Sequence, residues 1–164
     1  MAGGRARSVA LITGALMLIG ISPGCGRQAG GSSSGEGGGR QVIRAGPATG
    51  GLPYSPGILA GTTLYLAGTI GEDAANNIVP GGIEAETRQA LDNIGDVLKA
   101  AGMGFQDVTS VTVYITSFND FAKFNEIYRQ VFPTNPPARA TVQVAGLING
   151  AKVEIQMIAV KTAP

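Results

Sequence analysis

Arg139 stands in NPPARATVQVAG (135–146), just after Pro136 and Pro137 and at the head of a run of alternating small polar and β-branched residues. The two rings fix the backbone that leads into it, so the side chain leaves from a stiff base. A guanidinium presented this way offers a planar fork of donors that matches a carboxylate through two parallel hydrogen bonds. The plainer use of such an arginine is a salt bridge between subunits. The rest of the chain narrows the chemistry. Its 164 residues hold no histidine, no tryptophan and one cysteine, Cys25. A zinc site of the Cys/His type cannot be built, nor can a Ser-His-Asp or Cys-His arrangement. Arginine, lysine, carboxylates, hydroxyls, amides and backbone groups are left to carry any reaction. A net charge of +1 with 14% charged residues leaves no broad basic face for nucleic acid.

The elements around Arg139 follow from spacing. RQVIR (40–44) is a short strand candidate, and GILAGTTLYLAGTIG (57–71) gives two strands about a turn at 61–63. In IEAETRQALDNIGDVLKAAG, Ile83, Thr87, Ala90, Leu91, Ile94, Val97, Leu98 and Ala101 recur at helical spacing, and Gly102 ends the helix. DVTSVTVYITSF is a strand with Val111, Val113 and Ile115 on one face and Thr112 and Tyr114 on the other. NDFAKFNEIYRQVF predicts a helix that starts at Asn119 or Asp120, buries Phe121, Phe124, Ile127, Tyr128 and Val131, and stops at Pro133. ATVQVAGL and KVEIQMIAVK are closing strands. The order β-β-β-α-β-α-β-β predicts an α+β fold, a sheet with two helices on one face. Its bare face is expected to be covered by association of subunits, because a domain this small cannot wrap the sheet twice.

Residues 1–39 read as something other than this fold. Arg5 and Arg7 precede an uncharged run of 13 residues, Val9 to Ile21, and SPGC supplies small residues up to Cys25. That is the order of an export signal, assigned to 1–25, and the run falls short of the roughly 20 residues that span a bilayer. Its end resembles a bacterial lipoprotein signal, in which the cysteine is lipidated and becomes the mature N-terminus. Gly24 fits that pattern, while Ser22 and Pro23 depart from it. The alternative is ordinary secretory cleavage with Cys25 incidental. The expectation is an exported lipoprotein, anchored to a membrane and facing the periplasm or cell exterior. Residues 26–39, rich in Gly and Ser, have the composition of a tether, and 40–164 form the domain.

Five stretches, PYSPGILAGTTLYLAGTIG, ETRQALDNIGDVLKAAG, VTVYITSFNDFAKFNEIY, NPPARATVQVAGL and KVEIQMIAV, come in an order and spacing that resemble the RidA/YjgF family of reactive-intermediate (imine) deaminases. The resemblance covers about Arg40 to Lys161. It implies a chorismate-mutase-like fold, a homotrimer whose sheets form a central barrel, ligand clefts between subunits, and neither metal nor cofactor. By the same resemblance Arg139 grips the carboxylate of a 2-imino acid, Tyr54 closes over the ligand and the Gly68 backbone approaches it. Tyr54 has an alternative as a packing aromatic. Thr141 takes a place often held by cysteine, on the same strand face as Arg139. Asn125 matches a polar position near the cleft, or is a solvated helix residue. Ala67 lacks the serine hydroxyl of many members.

One departure bears on catalysis. The resemblance implies a last strand of the form Glu-Ile-Glu whose second glutamate deprotonates water, and here the strand reads Glu154-Ile155-Gln156. An amide orients water without taking its proton, and losing a general base costs about 10²- to 10⁴-fold. Glu154 shares the strand face but is displaced by roughly 6.6 Å. Two functions are therefore expected to compete: a RidA-like deaminase of small imino or enamine acids, weakened at Gln156, and a non-catalytic binding protein for small carboxylates. Ribonuclease activity fits poorly, since the chain lacks a basic groove and an obvious acid/base pair.

Overall fold

The computed structural model describes residues 39–46, 51 and 53–161. The predicted signal, Cys25 and nearly all of the tether lie outside them. Within the described residues the chain runs β1 (Arg40–Ile43), β2 (Gly57–Ala60), β3 (Thr63–Leu66), β4 (Thr69–Ile70), α1 (Gly82–Ala100), β5 (Val108–Ile115), α2 (Phe121–Val131), β6 (Ala138–Gln143) and β7 (Val153–Val160).

One sheet has the strand order β1-β2-β3-β7-β5-β6, and β4 pairs with β7 beside β3. Every pairing is antiparallel except β5 with β6. That parallel pair follows from α2, which crosses over between the two strands. The alternation read in the sequence sets the faces. Val111, Val113 and Ile115 of β5 and Val153, Ile155 and Met157 of β7 are buried together with Leu91, Ile94 and Leu98 of α1 and Phe124 of α2. Each such side chain contributes about 1.5–3 kcal/mol by leaving water. Thr112, Tyr114, Gln156 and Ile158 take the alternate positions and stay partly exposed or fully so.

The predicted α+β sheet with two helices on one face is therefore what forms. Gly102, at φ 68°, ends α1 where expected. Asp120 is the N-cap of α2, yet its side chain makes no capping bond. The bond belongs to the preceding turn, where the Ser117 hydroxyl accepts from the Asn119 N–H at 3.2 Å. β4 is an addition to the expected order. β6 begins at Ala138, so Arg139 lies inside a strand rather than in the turn before it.

Candidate active site

β4 lies against the first half of β7, with Thr69 opposite Ile155 and Ile70 opposite Glu154. The approach brings the Gly68 backbone onto the Glu154 carboxylate. A Cβ at residue 68 would overlap Glu154 Oε1, so glycine alone leaves that group in place. A cavity of about 390 Å³ opens beside it, lined by Tyr54, Gly68, Thr69, Glu72, Asn93, Ile148 and Glu154 among others, with no lysine or arginine. Burial raises the pKa of Glu154 above the usual carboxylate range. Burial also raises Glu72, helped by the negative charge of Asp73. The Tyr54 phenol is pushed up by burial, then by the charges of Glu72 and Glu154, which places it within electrostatic reach of both. A desolvated carboxylate holds a proton more readily, which makes it a better general base near neutral pH.

Helix α1 sets this cavity from behind. Asn93, 5% exposed, donates from Nδ2 to the Glu72 carbonyl at 2.9 Å and the Ile70 carbonyl at 3.4 Å, and its Oδ1 accepts from Gln89 at 2.9 Å. Glu86, 4% exposed, accepts the Lys152 backbone N–H at 2.7 Å, two residues before Glu154. One helix thus fixes the backbone on both sides of the cavity. Among the described residues, no group of three or more cysteine and carboxylate side chains is arranged to hold a metal ion.

Arg139 occupies a different place. On β6 it is opposite Val111 of β5, which is opposite Met157 of β7. Side chains alternate along strands, so Arg139 shares the helix-covered face with those two buried residues. Its guanidinium carbon lies 4.5 Å from the Tyr128 ring centre, 5.5 Å from that of Phe124 and 5.7 Å from that of Phe121, all on α2. Nη2 donates to Asn125 Oδ1 at 2.8 Å. No carboxylate of the described residues pairs with it: the two ion pairs there are Lys123–Glu84 and Lys152–Asp120. Burial raises the Tyr128 phenol, and the adjacent Arg139 charge offsets part of that rise. Three aromatic faces and one amide hold a cation that has no carboxylate partner among the described residues.

These features sit on a sequence of known kind. A family model described as Endoribonuclease L-PSP matches residues 47–161. The chain belongs to this RidA/YjgF family. It is 44% identical over 124 residues to a human protein named 2-iminobutanoate/2-iminopropanoate deaminase, covering 74% of this chain and 90% of that one. The bovine protein of the same name is 47% identical over 110 residues, 66% of this chain and 80% of the relative. Among solved structures, the YjgF gene product of E. coli aligns at TM-score 0.69 and 35% identity, over 74% of this chain and 99% of that one. A Rid-family protein of Yersinia pestis aligns at TM-score 0.72 and 38% identity, over 75% and 100%.

In this RidA/YjgF chain the expected site residues fall into two groups. Tyr54 and Gly68 line the cavity, whereas Arg139, Asn125 and Thr141 belong to the β6–α2 side. Gln156 belongs to neither group within the single chain. It is opposite Thr112, one residue out of step with Met157, so like Glu154 it points away from the face of Arg139. It lies exposed over a shallow depression of about 80 Å³ with Tyr65, Ser110 and Thr112. The β7 side chain that lines the cavity is Glu154, where β4 and Gly68 lie against the strand. Glu72, Glu86 and Asn93 were not anticipated. Glu86 and Asn93 could have been found as a carboxylate and an amide on the buried stripe of α1. Glu72 follows β4 in a loop whose course no periodicity marks.

Proposed function

We propose that this chain hydrolyses small 2-imino acids to 2-oxo acids and ammonia, with Glu154 as general base. The observation that carries the reading is the Glu154 carboxylate, desolvated and seated on Gly68 at the wall of a 390 Å³ cavity. In the reaction, Glu154 takes a proton from water as the water oxygen bonds to C2 and the C=N π pair moves to nitrogen. The same carboxyl returns that proton to nitrogen, then takes the hydroxyl proton as the C=O forms and the C–N bond breaks, and passes it to the departing nitrogen, which leaves as ammonia. Names of relatives such as the human and bovine deaminases support the same reaction class.

Arg139 and Glu154 cannot serve one substrate within a single chain. From Glu154 the register passes through Tyr114 to Val142, and Arg139 is three residues further along β6, on the other face. Two strand spacings and three residues separate the backbones by roughly 14 Å. We therefore assign the substrate carboxylate to Arg139 of a neighbouring subunit, in a homotrimer with clefts between subunits. A cavity lined by carboxylates and without a basic side chain repels a phosphate backbone, which argues against RNA as the substrate despite the name of the family model. Export and attachment to a membrane through a lipidated Cys25 are part of the same proposal and rest on the sequence.

The deciding experiment is a direct imine-hydrolysis assay on the full chain and on Glu154→Gln. The wild type is expected to turn over, and the variant to lose about 10²- to 10⁴-fold while still binding a 2-oxo acid. Binding without turnover in the wild type would instead favour the non-catalytic carboxylate-binding protein.

A further inference from the structure

Resting on the deaminase reading, we propose that the preferred substrate is a 2-imino acid whose side chain ends in a cation, and that Glu72 is the residue that selects it. Charge balance in the cleft leads there. Among the described residues the cavity presents Glu72 and Glu154 and no lysine or arginine. Neither glutamate belongs to an ion pair among the described residues. In the proposed assembly the neighbour's Arg139 pairs with the substrate carboxylate. Glu154 is engaged by the attacking water and the imine nitrogen. Glu72 is left facing the cavity without a counter-charge. A neutral side chain packed there would strip water from this carboxylate and return nothing, whereas an ammonium or guanidinium would form a charge-assisted pair.

The position of Glu72 fits selection better than an incidental surface charge. Its carbonyl is held by buried Asn93 at 2.9 Å, and its backbone bridges to Ile78, so the residue is fixed at the cavity wall. Its charge reaches the Tyr54 phenol, as does that of Glu154, and all three residues line the cavity. The cavity also exceeds the reacting core. Within one subunit its 390 Å³ is more than a three-carbon imino acid of about six heavy atoms requires. The spare room and the spare negative charge occur together.

The test uses the full-length protein and 2-imino acids made in situ by an amino-acid oxidase from arginine, methionine and glutamate. These give cationic, neutral and anionic side chains of similar length. The wild type is expected to prefer the arginine-derived imine over the methionine-derived one by roughly tenfold in kcat/KM, with the glutamate-derived one slowest. Glu72→Gln, nearly isosteric, should bring the arginine-to-methionine ratio close to one. An unchanged ratio in the variant would overturn the assignment. So would a wild type that favours methionine, or an equal loss on all three substrates, which would put Glu72 at the reacting centre. If the wild type hydrolyses none of them, the deaminase reading fails and the charge preference is read by calorimetry. Tighter binding of the guanidino 2-oxo acid than of the neutral one, lost in Glu72→Gln, would then support selection, and equal affinities would refute it.

Discussion

The cavity beside β7 and the edge strand β6 carry opposite charges and are built in opposite ways. At the cavity, backbone closes on side chain: Gly68 presses onto Glu154, and α1 ties down the carbonyls of Ile70 and Glu72. The result is a pair of carboxylates that burial makes reluctant to ionise. At β6, side chain closes on side chain: three aromatic rings and Asn125 hold one guanidinium. Arginine stays charged in any such setting, so its cage orients it without weakening it. A base gains from being partly stripped of water, while an anion receptor gains from being fixed in direction. Each half lacks what the other has, and that contrast makes the separation of the two within one chain informative.

The contrast breaks most sharply at Glu154. Glu154→Gln should cost about 10²- to 10⁴-fold in kcat. Gln156→Glu, two residues along the same strand, should leave kcat within about twofold, because Gln156 lies outside the cavity. A large gain in the second variant would return the active site to Gln156.

Mixing sharpens the comparison further. Glu154→Gln and Arg139→Ala chains, each nearly inactive alone, should regain activity when unfolded and refolded together in equal amounts. In a random trimer about a quarter of the clefts receive both intact residues, so about a quarter of wild-type activity is expected. No recovery, with mixed trimers verified by mass spectrometry, would place both residues in one subunit's site.

Arg139→Ala alone should weaken binding of a 2-oxo acid by more than about tenfold, the range for a lost charge-assisted pair. Arg139→Lys should recover little of it, since an ammonium lacks the fork and stacks poorly over the rings of α2. Calorimetry on both variants checks the two statements.

A smaller effect appears in stability. The folded-state pKa of Glu154 is raised, so the native chain holds this proton more tightly than the unfolded one. Its contribution favours folding fully below the ordinary glutamate pKa and is lost as pH rises through the raised folded value. Glu154→Gln should therefore melt higher than wild type at pH 7, and the gap should close in acid. Melting curves across that window test the sign. Activity should fall over the same window as pH drops, because the base becomes protonated.

Cys25→Ser should change neither region. It is expected to shift the protein from the membrane to the soluble fraction with kcat/KM unaltered, as fractionation and assay would reveal. Partitioning identical to wild type would remove lipidation.

Much of the frame was legible because its signals are periodic. Val111, Val113 and Ile115 announce a strand, and Phe121, Phe124 and Tyr128 announce a helix stripe. Thr69–Ile70 is too short to show any period, and this two-residue strand decides where the cavity lies along β7. Parity told that Glu154 and Gln156 share a face. It could not tell which of them the Gly68 backbone would cover, since that depends on a contact 86 residues away in the chain. The stripe on α2 was read as core, and it is core. That Arg139 would lie over the same rings required knowing that β6 runs parallel to β5 beneath that helix.

Among the described residues β6 has a partner on one side only, so there the strand that carries Arg139 also ends the sheet with an open edge. In the proposed homotrimer the neighbour's surface would cover this edge and receive the arginine in the same step. Docking and chemical competence would then be one event. A newly made chain would be silent toward its substrate until it had found its companions, and damage that loosened the assembly would switch the reaction off without touching a single reacting atom.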